Sequence, residues 1–284
     1  MKISYIKNIN INGLRFPKIL TNYNNKNYIF GSLNYNNDKF KIKYLINMYE
    51  FDDEFNIVEN SVNIINLKFI DKNYFSDINI SSWIRDVGFI DEKIYLLIEL
   101  KYNENENLSS KFYKLTTLNF INFEIYTKYN LGETDLLWLD YNNNIFKSSI
   151  TKTDIFKWGQ YEFNFIINNK NINPIFDKFI ENNKLQGQII HNIYSLYEED
   201  FDRVIYSIRH KTLKYFEYKI YTAITADYKY FLHSEEINIE HKPEIIDWLC
   251  YPFRFKFNEE YYLICNNNDF GKNTYPSLFK IIED

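Results

Sequence analysis

The sequence predicts an all-β fold in which five similar sheets stand around a common axis: a five-bladed β-propeller whose N-terminal strand closes the last blade. Three observations carry this expectation. Short apolar runs alternate with clusters of Asn, Asp, Glu and Lys along the chain, the pattern of strands and turns. Tyr (26) and Phe (25), with abundant Ile, dominate the apolar residues, and such side chains suit a half-buried pleated surface. A longer unit then recurs five times, as repeat architectures require.

Strands are predicted at 27–33, 41–49, 94–100, 111–118, 203–208, 218–224 and 260–265. Turn pairs lie between several of them: Asn24-Asn25, Asp91-Glu92, Asn142-Asn143 and Asn258-Glu259. Seven glycines are few for so many turns, and Asn, which tolerates left-handed backbone, is expected to take their place. One stretch, 173–182, carries Ile175, Phe176, Phe179 and Ile180 at near-helical spacing; lying between strands, it reads as a loop or one helical turn.

The five units open at 14–19, 84–90, 133–139, 186–191 and 249–255, with second strands at 28–32, 94–98, 145–149, 203–207 and 261–265. The openings are spaced for a four-stranded sheet plus loops. The spare strand at 3–9 is expected to pair into the last blade, which would hide a sheet edge. No linker rich in Pro, Gly or Ser divides the chain, so residues 1–284 are read as a single domain. A β-sandwich or an irregular β-solenoid is the alternative arrangement.

Composition bounds function as well. With 45% hydrophobic residues the chain can bury a large core. A net charge of −5, with Lys interleaved among acids, argues against a nucleic-acid partner, because the usual affinity comes from a basic excess. No apolar run approaches the length needed to span a bilayer, and the N-terminus lacks a signal-peptide pattern; a cytoplasmic monomer is expected. Two cysteines, Cys250 and Cys265, build neither a disulfide framework nor a zinc site and read as buried, reduced thiols. No two His sit at metal-ligand spacing, and there is no phosphate-binding or dinucleotide motif, so no metal and no cofactor are expected.

The segment Asp247-Trp248-Leu249-Cys250-Tyr251-Pro252, followed by Tyr261-Tyr262-Leu263-Ile264-Cys265 and the Asn-rich run ending at Gly271-Lys272, resembles the last blade of five-bladed propellers of the arabinanase, levansucrase and invertase type. Residues 84–98 resemble another blade opening of that superfamily; glucose-dehydrogenase-like propellers share its Ile84-Arg85-Asp86-Val87. The resemblance implies a carbohydrate-active protein with three carboxylates in a central cavity: a proton donor, an ionised base or nucleophile, and a third that tunes the first or binds a hydroxyl.

The match to that constellation is partial. The first blade usually offers Asp before Pro, and here Phe16 precedes Pro17. The usual acid is Glu before Gly, and here Gln186 precedes Gly187. Asp86 matches. The resemblance therefore points to Asp86, Glu133 and Asp247 as candidate catalytic carboxylates. Glu133 and Asp135, two apart on a strand, would face the same side. Arg15, Arg85, Asp135, Gln188, His191, Arg209, Tyr251 and Arg254 are the candidate substrate contacts. Arginines, rare in this Lys-rich chain, suit carboxylate or phosphate, so an acidic or phosphorylated glycan is among the expected ligands. Trp83, Trp138, Trp158 and Trp248 can stack on sugar rings or simply pack in the core. Three functions fit: a glycoside hydrolase-like enzyme acting on a bacterial glycan in the central funnel; a catalytically degenerate sugar-binding or scaffold propeller of a surface-polysaccharide pathway; and a protein-interaction propeller.

Overall fold

The structure is a computed structural model. It describes all residues except 36–42, 91, 105–106, 130–135, 140–144, 153–160, 168–169, 173–174, 177–187, 198–201, 212–215, 227–229, 245, 247, 268–273 and 284, and within 136–202 it describes the strands through their backbone. Among the described residues there is no helix.

Strand β1 spans Lys2–Asn8. The first sheet runs β2 (Arg15–Tyr23), β3 (Lys26–Asn34), β4 (Tyr44–Phe51) and β5 (Asn63–Ile64) in spatial order. The second runs β6 (Ile80–Ile90), β7 (Lys93–Glu104), β8 (Asn107–Thr117) and β9 (Phe123–Tyr129). The third holds β10 (Leu136–Leu139), β11 (Ile145–Lys152), β12 (Tyr161–Ile167) and β13 (Lys170–Ile172). The fourth takes β14 (Ile175–Phe176), β15 (Gln188–Tyr197), β16 (Asp202–Lys211), β17 (Phe216–Thr225) and β18 (Tyr230–Glu236), in the order β14-β18-β17-β16-β15. The last combines β19 (Asn238–Glu240), β20 (Leu249–Phe257), β21 (Glu260–Asn267) and β22 (Pro276–Glu283) with β1, in the order β19-β1-β22-β21-β20. Successive strands within each sheet are antiparallel; β14 and β19 join parallel to their neighbours β18 and β1.

The first long strand of each sheet lies innermost. β2 packs on β6, β6 on β10, β10 on β15, β15 on β20, and β20 on β2. The fold is an all-β propeller, as the alternating apolar runs predict. The strand at 3–9 does pair into the last sheet: β1 runs antiparallel to β22 in the register Ser4↔Lys280 and Asn8↔Ser277.

The core sits between sheets. One cluster, including Leu14, Phe30, Ile84, Leu96 and Phe253, joins the last, first and second sheets. Another, including Ile3, Ile205, Ile220, Leu263 and Phe279, joins the fourth and last. A sheet covered on both faces needs apolar residues on both, so its strands read as continuous rather than alternating runs. Residues 94–100 of β7 are all buried, and Glu99 is the only charged residue among them.

The hairpin turns carry left-handed backbone where expected. Asn24, Asn25, Asn258 and Glu259 all have positive φ, as does Glu92, matching tight hairpins in which both central residues are left-handed. Asn142-Asn143 and Asp91 lie outside the described residues. Ile175-Phe176 is not helical; it pairs with Tyr230 and Phe231 and covers the outer edge of β18, where its backbone finds hydrogen bonds that an isolated helical turn would lack.

Candidate functional site

Four of the innermost strands carry a bulge, near the start in β2 and β20 and midway along in β6 and β15. In β2, Phe16 and Pro17 stand opposite the single residue Gly31, between the pairs Arg15↔Ser32 and Lys18↔Phe30. In β6, Arg85 is the extra residue, between Ile84↔Ile98 and Asp86↔Leu97. In β15 it is Asn192, between His191↔Ser207 and Ile193↔Tyr206. In β20, Tyr251 and Pro252 oppose Cys265, between Cys250↔Asn266 and Phe253↔Ile264. A bulge bends its strand and re-aims a side chain, and bulges concentrate beside functional sites.

Two of these bulges hold a bulky residue in left-handed backbone, Phe16 at φ 55 and Tyr251 at φ 56. Such a conformation costs of order 1–3 kcal/mol and persists only where the surroundings impose it. A proline follows each. Lacking an N–H, it orphans no donor where the ladder is interrupted.

Side chains from neighbouring strands secure the β2 bulge. The Phe16 N–H donates to Asn266 Oδ1 at 2.8 Å, and Asn266 Nδ2 donates to the Leu14 carbonyl at 2.5 Å. The amide of a β21 residue thus grips both sides of the β2 entry across the seam between the last and first sheets. At the next seam Ser32, also opposite the residue before a bulge, accepts from the N–H of Ile84, the residue just before the β6 bulge, at 3.4 Å. Gly31 is required by space, because a methyl there would run into the Leu14 side chain.

The Phe16 ring is the hub of the side-chain cluster. It meets Trp83 edge to face at 4.9 Å and Tyr251 at 4.1 Å, with the Arg85 guanidinium over it at 5.1 Å. Trp83 leans on Tyr44 at 4.3 Å, and the Arg15 guanidinium lies over Tyr44 at 5.4 Å. On the other side Tyr251 packs with Tyr218, Cys250 and Trp248. Aromatic pairs at these separations each contribute about 0.5–1.5 kcal/mol beyond the area they bury.

Two carboxylates lie beneath this layer, both engaged. Glu99 is fully buried; its Oε2 accepts from Arg85 Nε at 2.8 Å and also from Arg85 Nη2, while Lys101 Nζ stands 3.5 Å from Oε1. Asp86 is buried and its Oδ1 accepts from the Val87 N–H at 2.8 Å. Lys18, buried one strand away with its ammonium 4.9 Å from the Phe253 ring, feels the Asp86 charge. Burial lowers its pKa to about 8; Asp86 and the Cys265 thiol oppose that shift and Arg85 adds to it. Burial also pushes the Cys265 thiol far above its usual range, with Lys18 opposing. Cys250 and Cys265 are both buried and free.

Of the residues singled out from sequence, Arg15, Arg85, Asp86 and Tyr251 come together here. Arg254 points elsewhere: its guanidinium lies 4.0 Å over the Tyr261 ring. Gln188 and His191 stand at the head of β15, with Arg209 opposite Ile189 on β16. Glu133, Asp135, Gln186 and Asp247 lie outside the described residues. The site also contains Glu99, Lys18, Lys101 and Asn266, which sequence reading passed over. Glu99 carried a usable signal as the lone charge in an apolar run. Among the described residues, no group of three or more His, Cys, Asp or Glu is placed to hold a metal, and no helix is long and apolar enough to cross a membrane.

No protein-family model matches the sequence, and no curated protein matches it. Solved structures do resemble the fold. A thermostable family-43 glycoside hydrolase superposes with a TM-score of 0.64 at 12% identity, covering 99% of this chain and 93% of that one. An endo-arabinase of Bacteroides thetaiotaomicron gives 0.61 at 13% identity, covering 99% and 98%. An α-L-arabinanase of Cellvibrio cellulosa, complexed with arabinohexaose, gives 0.57 at 11%, covering 98% and 94%. At these identities the likeness is one of fold, and it extends over nearly the whole length of each chain.

Proposed function

We propose that residues 1–284 form one five-bladed propeller domain that binds a glycan at the heads of its inner strands and does not hydrolyse it. Support for five blades comes from the five sheets and from the closed cycle of contacts among their first strands. Support for a glycan comes from the likeness in fold to a family-43 glycoside hydrolase, a β-xylosidase and an endo-arabinase and from the aromatic lining of the site.

The observation that carries the reading is Phe16. It stands at the β2 bulge, where the resemblance implies a carboxylate, and its ring is enclosed by Trp83, Tyr251 and Arg85. Glycosidic hydrolysis requires one carboxylic acid to deliver a proton and one carboxylate to act as base or nucleophile. A phenyl ring does neither. Of the carboxylates among the described residues of the site, Glu99 is held by Arg85 and Lys101, and Asp86 by the backbone and Lys18. What the site offers instead is recognition: half-buried Trp83 and Trp248 to stack on the C–H face of a sugar, and half-buried Arg15 to donate to hydroxyls or to an acidic group on the glycan.

The test is a glycan array combined with a reducing-end release assay on every glycan that binds. Binding without release is expected, with about tenfold weaker binding in Trp83→Ala, the order of one lost ring contact of about 1.4 kcal/mol. Sugar release by the wild-type protein would overturn the proposal and return Asp86, Glu133 and Asp247 to catalytic roles.

A further inference from the structure

We infer that β9, the outer strand of the second sheet, is a dimer interface: a second copy of the chain adds its own β9 to this edge, antiparallel across a twofold axis, in place of the monomer expected from sequence. The inference is independent of the glycan-binding reading, because β9 is the outermost strand of its sheet and the proposed glycan site lies on the innermost ones.

The other sheets dispose of their outer edges. β5 and β13 are only two and three residues long, and β18 and β1 are covered by β14 and β19. β9 presents seven residues, and among the described residues no strand lies outside it. Such an edge offers a row of N–H and C=O groups that pair with another chain unless something blunts it. Its surroundings are apolar instead. Ile125 and Tyr126 are 45% and 60% exposed, and Leu118 and Ile121, in the bend between β8 and β9, are 62% and 75% exposed. Exposed Phe69 stacks on Phe123 at 6.5 Å, with the rings 5° from parallel. Apolar groups gathered in one exposed place mark an interaction site.

Two features identify the occupant as a second copy. The first is charge. About a twofold axis through Tyr126, Glu124 of each copy stands opposite Lys128 of the partner subunit. Opposite charges facing each other across a strand pair are favourable, and like charges are unfavourable. Both residues are exposed, and neither makes an ion pair among the described residues. The second feature is a bulge. Tyr126 is the extra residue between Leu115↔Ile125 and Lys114↔Thr127. A bulge twists an edge away from a regular strand, and it divides β9 into two arms, 123–125 and 127–129. In the twofold pair each arm meets the opposite arm of the other copy, and the two bulges lie side by side on the axis. A closed interface of this kind uses one self-complementary patch, which a regular strand of another protein would not match.

Analytical ultracentrifugation of the full chain tests the proposal. Wild type should dimerise reversibly with a dissociation constant on the order of 10 µM, as suits a small interface. Lys128→Glu and Glu124→Lys should each weaken the dimer by about tenfold, because each sets two like-charged pairs across the axis, and the double variant should restore it. Tyr126→Cys should give a disulfide-linked dimer on mild oxidation, since residue 126 meets its own copy on the axis and Cys250 and Cys265 are buried. All three positions are exposed, so the fold should tolerate these changes. A wild type still monomeric about tenfold above that concentration would overturn the proposal. So would a dimer indifferent to the single reversals, or a double variant that fails to restore it.

Discussion

At the head of β2 the bulge is filled by Phe16, held by ring contacts to Trp83 and Tyr251 and by an amide clasp from Asn266. Midway along the adjacent β6 the bulge is filled by Arg85, held by the buried carboxylate of Glu99. The backbone device is the same, one strand running ahead of its partner in register, and the two fillings touch, since the Arg85 guanidinium lies over the Phe16 ring. The difference shows that a bulge fixes where a side chain is presented without fixing what secures it. Packing yields gradually when it is trimmed. A buried ion pair fails abruptly, because removing one partner strands the other charge in a medium that solvates it poorly.

That contrast can be broken at its polar end first. Glu99→Ala should destabilise the fold by about 3–5 kcal/mol, the range for stranding a buried charge, measured by urea denaturation; a loss below about 1 kcal/mol would mean that Arg85 finds another partner. The apolar end should yield less. Gly31→Ala should destabilise by about 1–3 kcal/mol, the usual penalty of overpacking. In a Leu14→Ala background the same substitution should do much less harm, because Leu14 is what the new methyl meets and contacting sites are not additive.

A pH-dependent effect tests the link between the two bulges. Lys18 of β2 has a folded-state pKa of about 8 against the ordinary lysine value of 10.5. Below pH 8 both folded and unfolded chains hold its proton, and the penalty for burying the charge is fully present. Between pH 8 and 10.5 the folded protein sheds that proton while the unfolded chain keeps it, so this residue's contribution to stability rises with pH, by at most about 1.4 kcal/mol per pH unit. Burial raises Tyr49 and Tyr262 to about 12, so their unfolded forms ionise first above pH 10 and pull the other way. The buried Cys265 thiol, raised from an ordinary value of 9.0, pulls the same opposing way within pH 8–10, because the unfolded thiol ionises there first. The reading is therefore a difference: between pH 8 and 10 the stability of wild type should rise relative to that of Lys18→Met, which keeps the Cys265 contribution.

Much of the architecture was legible because it depends on local pattern. The apolar runs became strands, Asn24-Asn25 and Asn258-Glu259 became left-handed turns, and 3–9 joined the last sheet. The site was legible only where local sequence carried it, as at Phe16-Pro17 and Arg85-Asp86. Glu99 faces Arg85 from the next strand, and Lys18 senses Asp86 from the next sheet; such partners are set by register and packing, which no spacing in the sequence states. Arg254 shows a subtler limit. Sequence groups it with Tyr251 because both stand in the opening of the last blade. On β20, Phe253 and Phe255 enter the core, and Arg254 between them takes the other face, where its guanidinium lies over the Tyr261 ring.

The pairing of β1 with β22 also governs when the molecule can be finished. Asn8 and Ser277 are hydrogen-bonded although 269 positions separate them. On a ribosome adding about 5–20 residues per second, the interval between making these two residues is on the order of 10–50 s. Throughout it, β1 has no β22 to pair with, and Ile3, fully buried at the end, has no last sheet to enter. Closure of the ring thus waits until β22 has been made, and until then the β1 edge stays open to other partners.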